Sequence, residues 1–197
     1  MILHKKAPES ISITARYLRE GKIVIIPTDT VYGFSGIVDI KGSQASFRTD
    51  CIIRNIKGRS ETKPLIQLIS KPEDIHKYTD DIIPDSLLKK WPGALTIIVH
   101  IKNDSPLADY AETVAFRCPG DKWLRNIIEE CGAPIYSTSV NRSGNPVLER
   151  IDCIKNEFEK EVSIIVDDGD KVNAKPSTLV ILRDNQVSVL RQGSVKV

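Results

Sequence analysis

The chain has 197 residues, 41% of them hydrophobic and 27% charged, with a net charge of +2. That mixture suits a globular protein with one sizeable core. It contains no apolar run near the ~20 residues needed to cross a bilayer, and +2 is too weak a balance to imply a nucleic-acid partner.

The first six residues, Met1-Ile2-Leu3-His4-Lys5-Lys6, lack the apolar stretch of a signal peptide, so a cytoplasmic location without membrane contact is expected. Residues 11–20 read as an amphipathic helix stopped by Gly21, 22–26 as a buried strand and 27–36 as a Gly-containing loop. Residues 44–56 read as a helix with Phe47, Cys51, Ile52 and Ile56 on one side and Gly58 as its stop. A strand over 64–70, a helix over 84–91 and strands over 95–101 and 113–118 follow. Asp121 is a suitable N-cap for a helix over 122–131, with Trp123, Leu124, Ile127 and Ile128 as its apolar face and Gly132 at its end. The chain finishes with a strand at 135–138, a helix at 151–159, a strand at 164–166 and a hairpin of 177–182 and 187–191 about Asp184-Asn185. No linker or repeat interrupts this order. The expectation is one α/β domain over residues 1–197, a mixed sheet covered by helices.

Cys51, Cys118, Cys131 and Cys153 form no CxxC pair, and His4, His76 and His100 stand apart. Metal sites need clustered ligands, so reduced thiols and no metal held by protein side chains are expected.

Polar residues gather at the ends of apolar strands, where open α/β sheets bind ligands. Pro27-Thr28-Asp29-Thr30-Val31-Tyr32-Gly33 offers hydroxyls and an aromatic ring, with Gly33 permitting an unusual turn; it is either a ligand loop or a plain turn. Lys57-Gly58-Arg59-Ser60-Glu61-Thr62-Lys63 carries three cations, suited to phosphate or simply solvated. In extended chain, Lys57 and Arg59 would point the same way. No GxxxxGK[ST] occurs, which excludes a P-loop. Ser137, Ser139 and Asn141 alternate after an apolar strand, and no histidine stands near to activate a serine, so binding is favoured over covalent catalysis. Arg117 lies within an apolar strand, where a half-buried arginine needs an anionic partner.

Taken together, these segments resemble the YrdC-like family of threonylcarbamoyl-AMP synthases. The matching pieces stand in family order: PTDTVYG from Pro27, KGR with a later Lys from Lys57 and KPL from Lys63. WPGALT from Trp91, VAFRCP from Val114, SVNRSG from Ser139 and PSTLV from Pro176 complete the series. The resemblance covers about 11–191. It implies a YrdC-like fold, a twisted mixed sheet with a positively charged central cavity. It also implies synthesis of L-threonylcarbamoyladenylate from L-threonine, bicarbonate and ATP, with pyrophosphate released, for a tRNA modification completed by a downstream tRNA threonylcarbamoyl transferase machinery. Carried over residue by residue, Thr30, Tyr32, Arg117, Ser137 and Ser177 would bind threonine. Lys57, Arg59, Lys63, Thr113, Ser139, Asn141 and Arg191 would bind ATP, with Lys57 and Arg59 serving the transfer itself. Magnesium is expected on the phosphates, held by substrate oxygens and water.

Three departures from the family pattern stand out. Ser60 replaces a common proline, the second glycine usual before Ser177 is missing, and the chain ends soon after Arg191, as in the short bacterial type. The alternative reading is an RNA-binding factor using the same basic cavity for tRNA, double-stranded RNA or a ribosome, but no aromatic RNA platform is apparent. A carbamoylation domain of the hydrogenase-maturation kind would bring cysteine clusters that this chain lacks.

Overall fold

In the computed structural model, residues 1–42, 45–58, 64–107, 111–183 and 186–197 are described. Three residues at the N-terminus, Ile2–His4, are too few for a periodic signal, yet they form strand β1 by pairing in parallel with β8 (Ile164–Asp167). Helix α1 (Ser10–Arg19) follows, and Gly21 turns the chain at φ +72° into β2 (Val24–Ile26).

The segment expected to be a loop contains a strand instead, β3 (Gly33–Ile37), antiparallel to β2. Its glycines hide it from propensity, and packing explains them. A Cβ on Gly36 would come within 2.6 Å of Thr49, whose hydroxyl donates to the Ile37 carbonyl at 2.6 Å. Helix α2 (Thr49–Lys57) is shorter than the pattern implies. The Asp39 carboxylate accepts from the backbone N–H groups of Phe47 and Arg48, both at 2.9 Å, which holds those residues out of the helix. Its inward face is accordingly Thr49, Ile53, Ile56 and Lys57, while Ile52 is 40% exposed. Phe47 packs over Gly21 rather than on that face.

β4 (Ile66–Leu68) is followed by a 3₁₀ turn at Pro72–Lys77, which carries no helical period and was not expected. α3 shrinks to Asp85–Leu88. β5 (Leu95–His100), β6 (Thr113–Arg117) and α4 (Lys122–Cys131) fall where the sequence puts them. Asp121 caps α4 by accepting from the Trp123 N–H at 3.0 Å, and Leu124, Ile127 and Ile128 are buried against Ala15 and Leu18 of α1. Each such side chain contributes about 1.5–3 kcal/mol. Trp123 is only half-buried and donates its indole N–H to the Ser10 hydroxyl. β7 (Ile135–Ser139) and α5 (Ile151–Phe158) complete the middle of the chain. The closing hairpin is β9 (Thr178–Arg183) and β10 (Gln186–Arg191); its turn, Asp184-Asn185, lies outside the described residues.

The strands form one sheet in the order β1-β8-β2-β3-β7-β4-β6-β5-β9-β10. Among the described residues, four pairs are parallel (β1/β8, β2/β8, β4/β6, β5/β9) and the other five antiparallel, so the sheet is mixed as expected. Apolar clusters lie against it, one beneath α1 and α4, another holding Phe34, Ile53 and Phe158 between α2 and α5. All four cysteines are free thiols; burial pushes Cys118 and Cys131 up to about 12. No helix among the described residues is long and apolar enough to cross a membrane.

Candidate active site

The register of the central strands brings polar side chains to one face of the sheet. Gly33 pairs with Ser139, Ile66 with both Ser137 and Ala115, and Ile98 with Ala115. Opposed residues share a face, and so does Arg117, two residues past Ala115. Gly33 has no left-handed φ, so the unusual turn expected there is absent. Its role is a close approach, because a Cβ would meet the Ser137 hydroxyl at 2.8 Å. Above this face lies a cavity of about 410 Å³, a size suited to small molecules.

Thr30, Tyr32, Arg117, Ser137, Ser139 and Ser177 stand on its wall, and Arg191 joins them. Arg191 reaches the wall through a bulge. Val189 opposes Val180, but Arg191, two residues on, already opposes Leu179. Simple alternation would put Arg191 on the side of Val187 and Val189; the extra residue at Leu190 turns it to the cavity. Its guanidinium donates to the Ser177 carbonyl at 3.1 Å and to the Ser177 hydroxyl, which also bonds Thr96 at 2.7 Å. Burial, then the nearby Arg117 charge, pull its pKa down. Two guanidiniums crowded into one cavity favour an anionic ligand. Glu149 is the acidic side chain on the wall among the described residues.

Arg117 is nearly buried, and its own contacts fix it. Nε donates to the Gly93 carbonyl at 3.1 Å, Nη1 to the Thr30 hydroxyl at 2.9 Å and Nη2 to Asp29. The Thr30 hydroxyl lies 2.9 Å from that of Thr28, which donates to the Val31 carbonyl at 2.8 Å. Thr30, accepting from Arg117, is therefore the donor to Thr28. A guanidinium has five N–H groups. Three are committed, leaving one on each terminal nitrogen, the complement of a carboxylate.

Other expected residues lie elsewhere. Tyr32 borders the cavity, but its side chain is fully buried in the core with Phe34 and its hydroxyl is spent: it donates to the Gly169 carbonyl and accepts from the Asp168 N–H, both at 2.8 Å. Burial, its largest influence, pushes its pKa up to about 12. Lys57 is the last residue of α2, not extended chain, and is 2% exposed. Its ammonium donates to the Ser139 carbonyl and to the carbonyl and side-chain oxygen of Asn141, at 2.8 and 2.9 Å. An ammonium has three protons, so Lys57 holds the turn after β7 rather than facing the cavity. Asn141 takes part in that turn: its Oδ1 accepts from the Ser139 hydroxyl, and its Nδ2 donates to Arg142 and Asn145 carbonyls. Thr113 opens β6, short of the wall. Arg59, Ser60 and Lys63 lie outside the described residues. In the stretch before Ser177, Asn173 is left-handed at φ 59°, a conformation asparagine tolerates better than most residues.

Sequence reasoning gave no role to Asp29, the residue just before the assigned Thr30. The available signal was Arg117 itself: a charge in an apolar strand needs an anion, and the chain supplies one as well as leaving room for another.

Comparison with known proteins fits this architecture. The sequence profile of the Sua5/YciO/YrdC family, described as "Telomere recombination", matches residues 16–193. A threonylcarbamoyl-AMP synthase of Bacillus subtilis is 33% identical over 94% of this chain, which spans 54% of that relative's length. A putative threonylcarbamoyl-AMP synthase of Methanocaldococcus jannaschii is 30% identical over 90% of this chain and 82% of its own. The crystal structure of P. abyssi Sua5 complexed with L-threonine superposes with a TM-score of 0.83 at 28% identity, covering 98% of this chain and 57% of that one. With the profile matching nearly end to end on a sheet of the same fold, the chain belongs to the Sua5/YciO/YrdC family.

Proposed function

We propose that the chain is an enzyme that condenses L-threonine, bicarbonate and ATP to L-threonylcarbamoyladenylate, releasing pyrophosphate. The product serves a tRNA modification completed by a separate threonylcarbamoyl transferase. The observation that carries this reading is the Arg117 guanidinium, anchored at three N–H groups with two to spare on a cavity wall rich in hydroxyls. The names of the relatives and the threonine in the Sua5 complex support it.

In this reading the threonine carboxylate docks on Arg117, and its hydroxyl meets the Thr30, Ser137 and Ser177 group. The amine nitrogen attacks the carbon of carbon dioxide and gives up a proton, or attacks bicarbonate, whose hydroxyl leaves with that proton as water; either route forms a carbamate. A carbamate oxygen then attacks the α-phosphorus of ATP, and the bond to the β-phosphate oxygen breaks. Arg191 and Ser139 face the nucleotide, with Arg59 and Lys63 as further phosphate contacts and Thr113 near its edge. Lys57 and Asn141 act by shaping the turn that presents Ser139. Such a transfer rests on positioning and on cations around developing negative charge, so no protein nucleophile is needed. The two guanidiniums on the wall suit the triphosphate itself; a magnesium ion would arrive on it, held by phosphate oxygens and water, and would screen the phosphate charge. The location proposed is the cytoplasm.

Purified protein given ATP, magnesium, threonine and bicarbonate is expected to release pyrophosphate with no RNA present. Leaving out threonine or bicarbonate should each abolish the signal. Release that ignores threonine, or that needs tRNA, would remove the synthase reading and favour the RNA-binding one.

A further inference from the structure

A long side chain with four rotatable bonds does not hold one orientation by itself. Arg117 is held by a short loop, and two consecutive residues of that loop take its two terminal nitrogens: Asp29 receives Nη2 and Thr30 receives Nη1. Asp29 is tied from its other side. Its Oδ2 accepts from the Gly120 N–H at 2.9 Å, so each carboxylate oxygen serves one donor, one on Arg117 and one on the backbone before α4. Gly120 leaves room for this contact, because a Cβ there would lie 2.9 Å from Oδ2. The Asp29 side chain is 21% exposed against 6% for Arg117, so the aspartate forms the outer part of a nearly buried pair.

We propose that Asp29 is the positioning residue for substrate-carboxylate recognition, fixing the Arg117 fork so that its two uncommitted N–H groups meet the incoming carboxylate together. This rests on the reading of Arg117 as the carboxylate receptor. Two effects of Asp29 oppose each other. Its negative charge lowers the local positive potential and weakens attraction for an anion, whereas its hydrogen bond sets the direction of the fork. Orientation dominates because bidentate binding depends on geometry, and Arg191 stays on the wall near Arg117 as a second guanidinium for an anion. An asparagine cannot replace Asp29: its amide NH₂ would confront either the guanidinium or the Gly120 N–H, both donors.

Calorimetric affinities for L-threonine, L-threoninamide (which lacks the carboxylate) and ATP test this on wild-type protein, Asp29→Asn and Gly120→Ala. The alanine displaces the carboxylate without removing it. Wild type is expected to prefer threonine over threoninamide. In both variants threonine should weaken by about tenfold or more, the loss of one charge-assisted contact, with threoninamide and ATP within about twofold. Threonine binding that is unchanged or tighter in folded Asp29→Asn overturns the proposal, and so does equal weakening of all three ligands. If wild type binds threonine but Asp29→Asn keeps the full preference, only the role of Asp29 falls. A wild type that binds no threonine sinks the functional reading and this inference together.

Discussion

Lys57 shows how a charge at a motif position can be turned to architecture. Its ammonium points beneath the turn after β7, donates to three oxygens there and stands 5.4 Å from the Phe34 ring centre. The turn answers in kind, with the Ser143 N–H donating to the Lys57 carbonyl at 2.7 Å. Arg142 adds a second clamp, reaching the Ile56 carbonyl, Glu157 and Glu161. Replacing Lys57 with methionine keeps most of the volume but leaves buried carbonyl groups without their donor. The expected cost is about 3 kcal/mol, or roughly 6–12 °C in melting temperature for a chain of this length. Chemical denaturation measures it. A loss under about 1 kcal/mol would mean that the ammonium is not structural.

At the scale of elements, the loop between β8 and β9 shapes the outer side of the cavity. Gly169 turns at φ +75° and Asn173 at φ 59°. Between them Asp170 caps α5, accepting from the Ile151 N–H at 2.9 Å, and the Asn173 N–H donates to Glu149 at 3.2 Å. These contacts use backbone groups of the loop and helix, so they survive a change at the Asn173 side chain; only the left-handed conformation discriminates. Asn173→Gly should be neutral within a few tenths of a kcal/mol, and Asn173→Ala should cost about 1 kcal/mol, read as a fall of roughly 2–4 °C in melting temperature. Equal stability of the two variants would show that the turn relaxes freely.

For the whole molecule, ion pairs join distant segments and give stability a pH signature. Lys5 bridges Asp121 and Asp168 at 2.7 and 3.0 Å, linking the start of the chain to the cap of α4 and to the loop that holds Tyr32. Burial pushes the Asp168 carboxyl up, but hydrogen bonds from Lys171 and Lys5 outweigh it and hold the pKa below the ordinary 3.8. Asp167 follows the same pattern through Lys155 and the Gly169 N–H, and Asp74 through Lys77 and Ser70. Folded values below the unfolded ones mean that this stabilisation is complete above 3.8 and is lost as pH falls through the depressed values. Burial lowers the Lys5 pKa, but its two aspartates raise it past 10.5; that contribution is complete below 10.5 and lost as pH rises beyond the folded value. Urea midpoints should show no loss from these groups between those limits and an acid loss that begins near 3.8. An acid loss already under way above about pH 6 would contradict this assignment.

The linear sequence determined the elements whose periodicity is strong and whose caps are local. Helix α4, with Asp121 before it and Gly132 after it, could be read directly, as could the hairpin and the buried strand β2. It also determined the family, because motifs in fixed order keep their meaning before the chain folds, and it singled out Thr30, Arg117, Ser137, Ser139, Ser177 and Arg191, which fold onto one cavity wall. Tertiary structure decided the rest. β1 and β3 exist through their neighbours: one is three residues long and the other carries glycines that only cross-strand and helix contacts explain. The late start of α2 depends on Asp39, nine residues before Arg48. Whether a cation faces the ligand or the scaffold depends on which oxygens surround it after folding, and around Lys57 these include the Ser139 and Asn141 oxygens of the turn after β7. The anchors of Arg117 at Asp29 and Gly93 are separated from it by 88 and 24 residues, and the bulge that aims Arg191 arises in pairing between two strands. Local propensity reaches a few residues along the chain, while hydrogen bonds and burial act between residues that only the fold brings together.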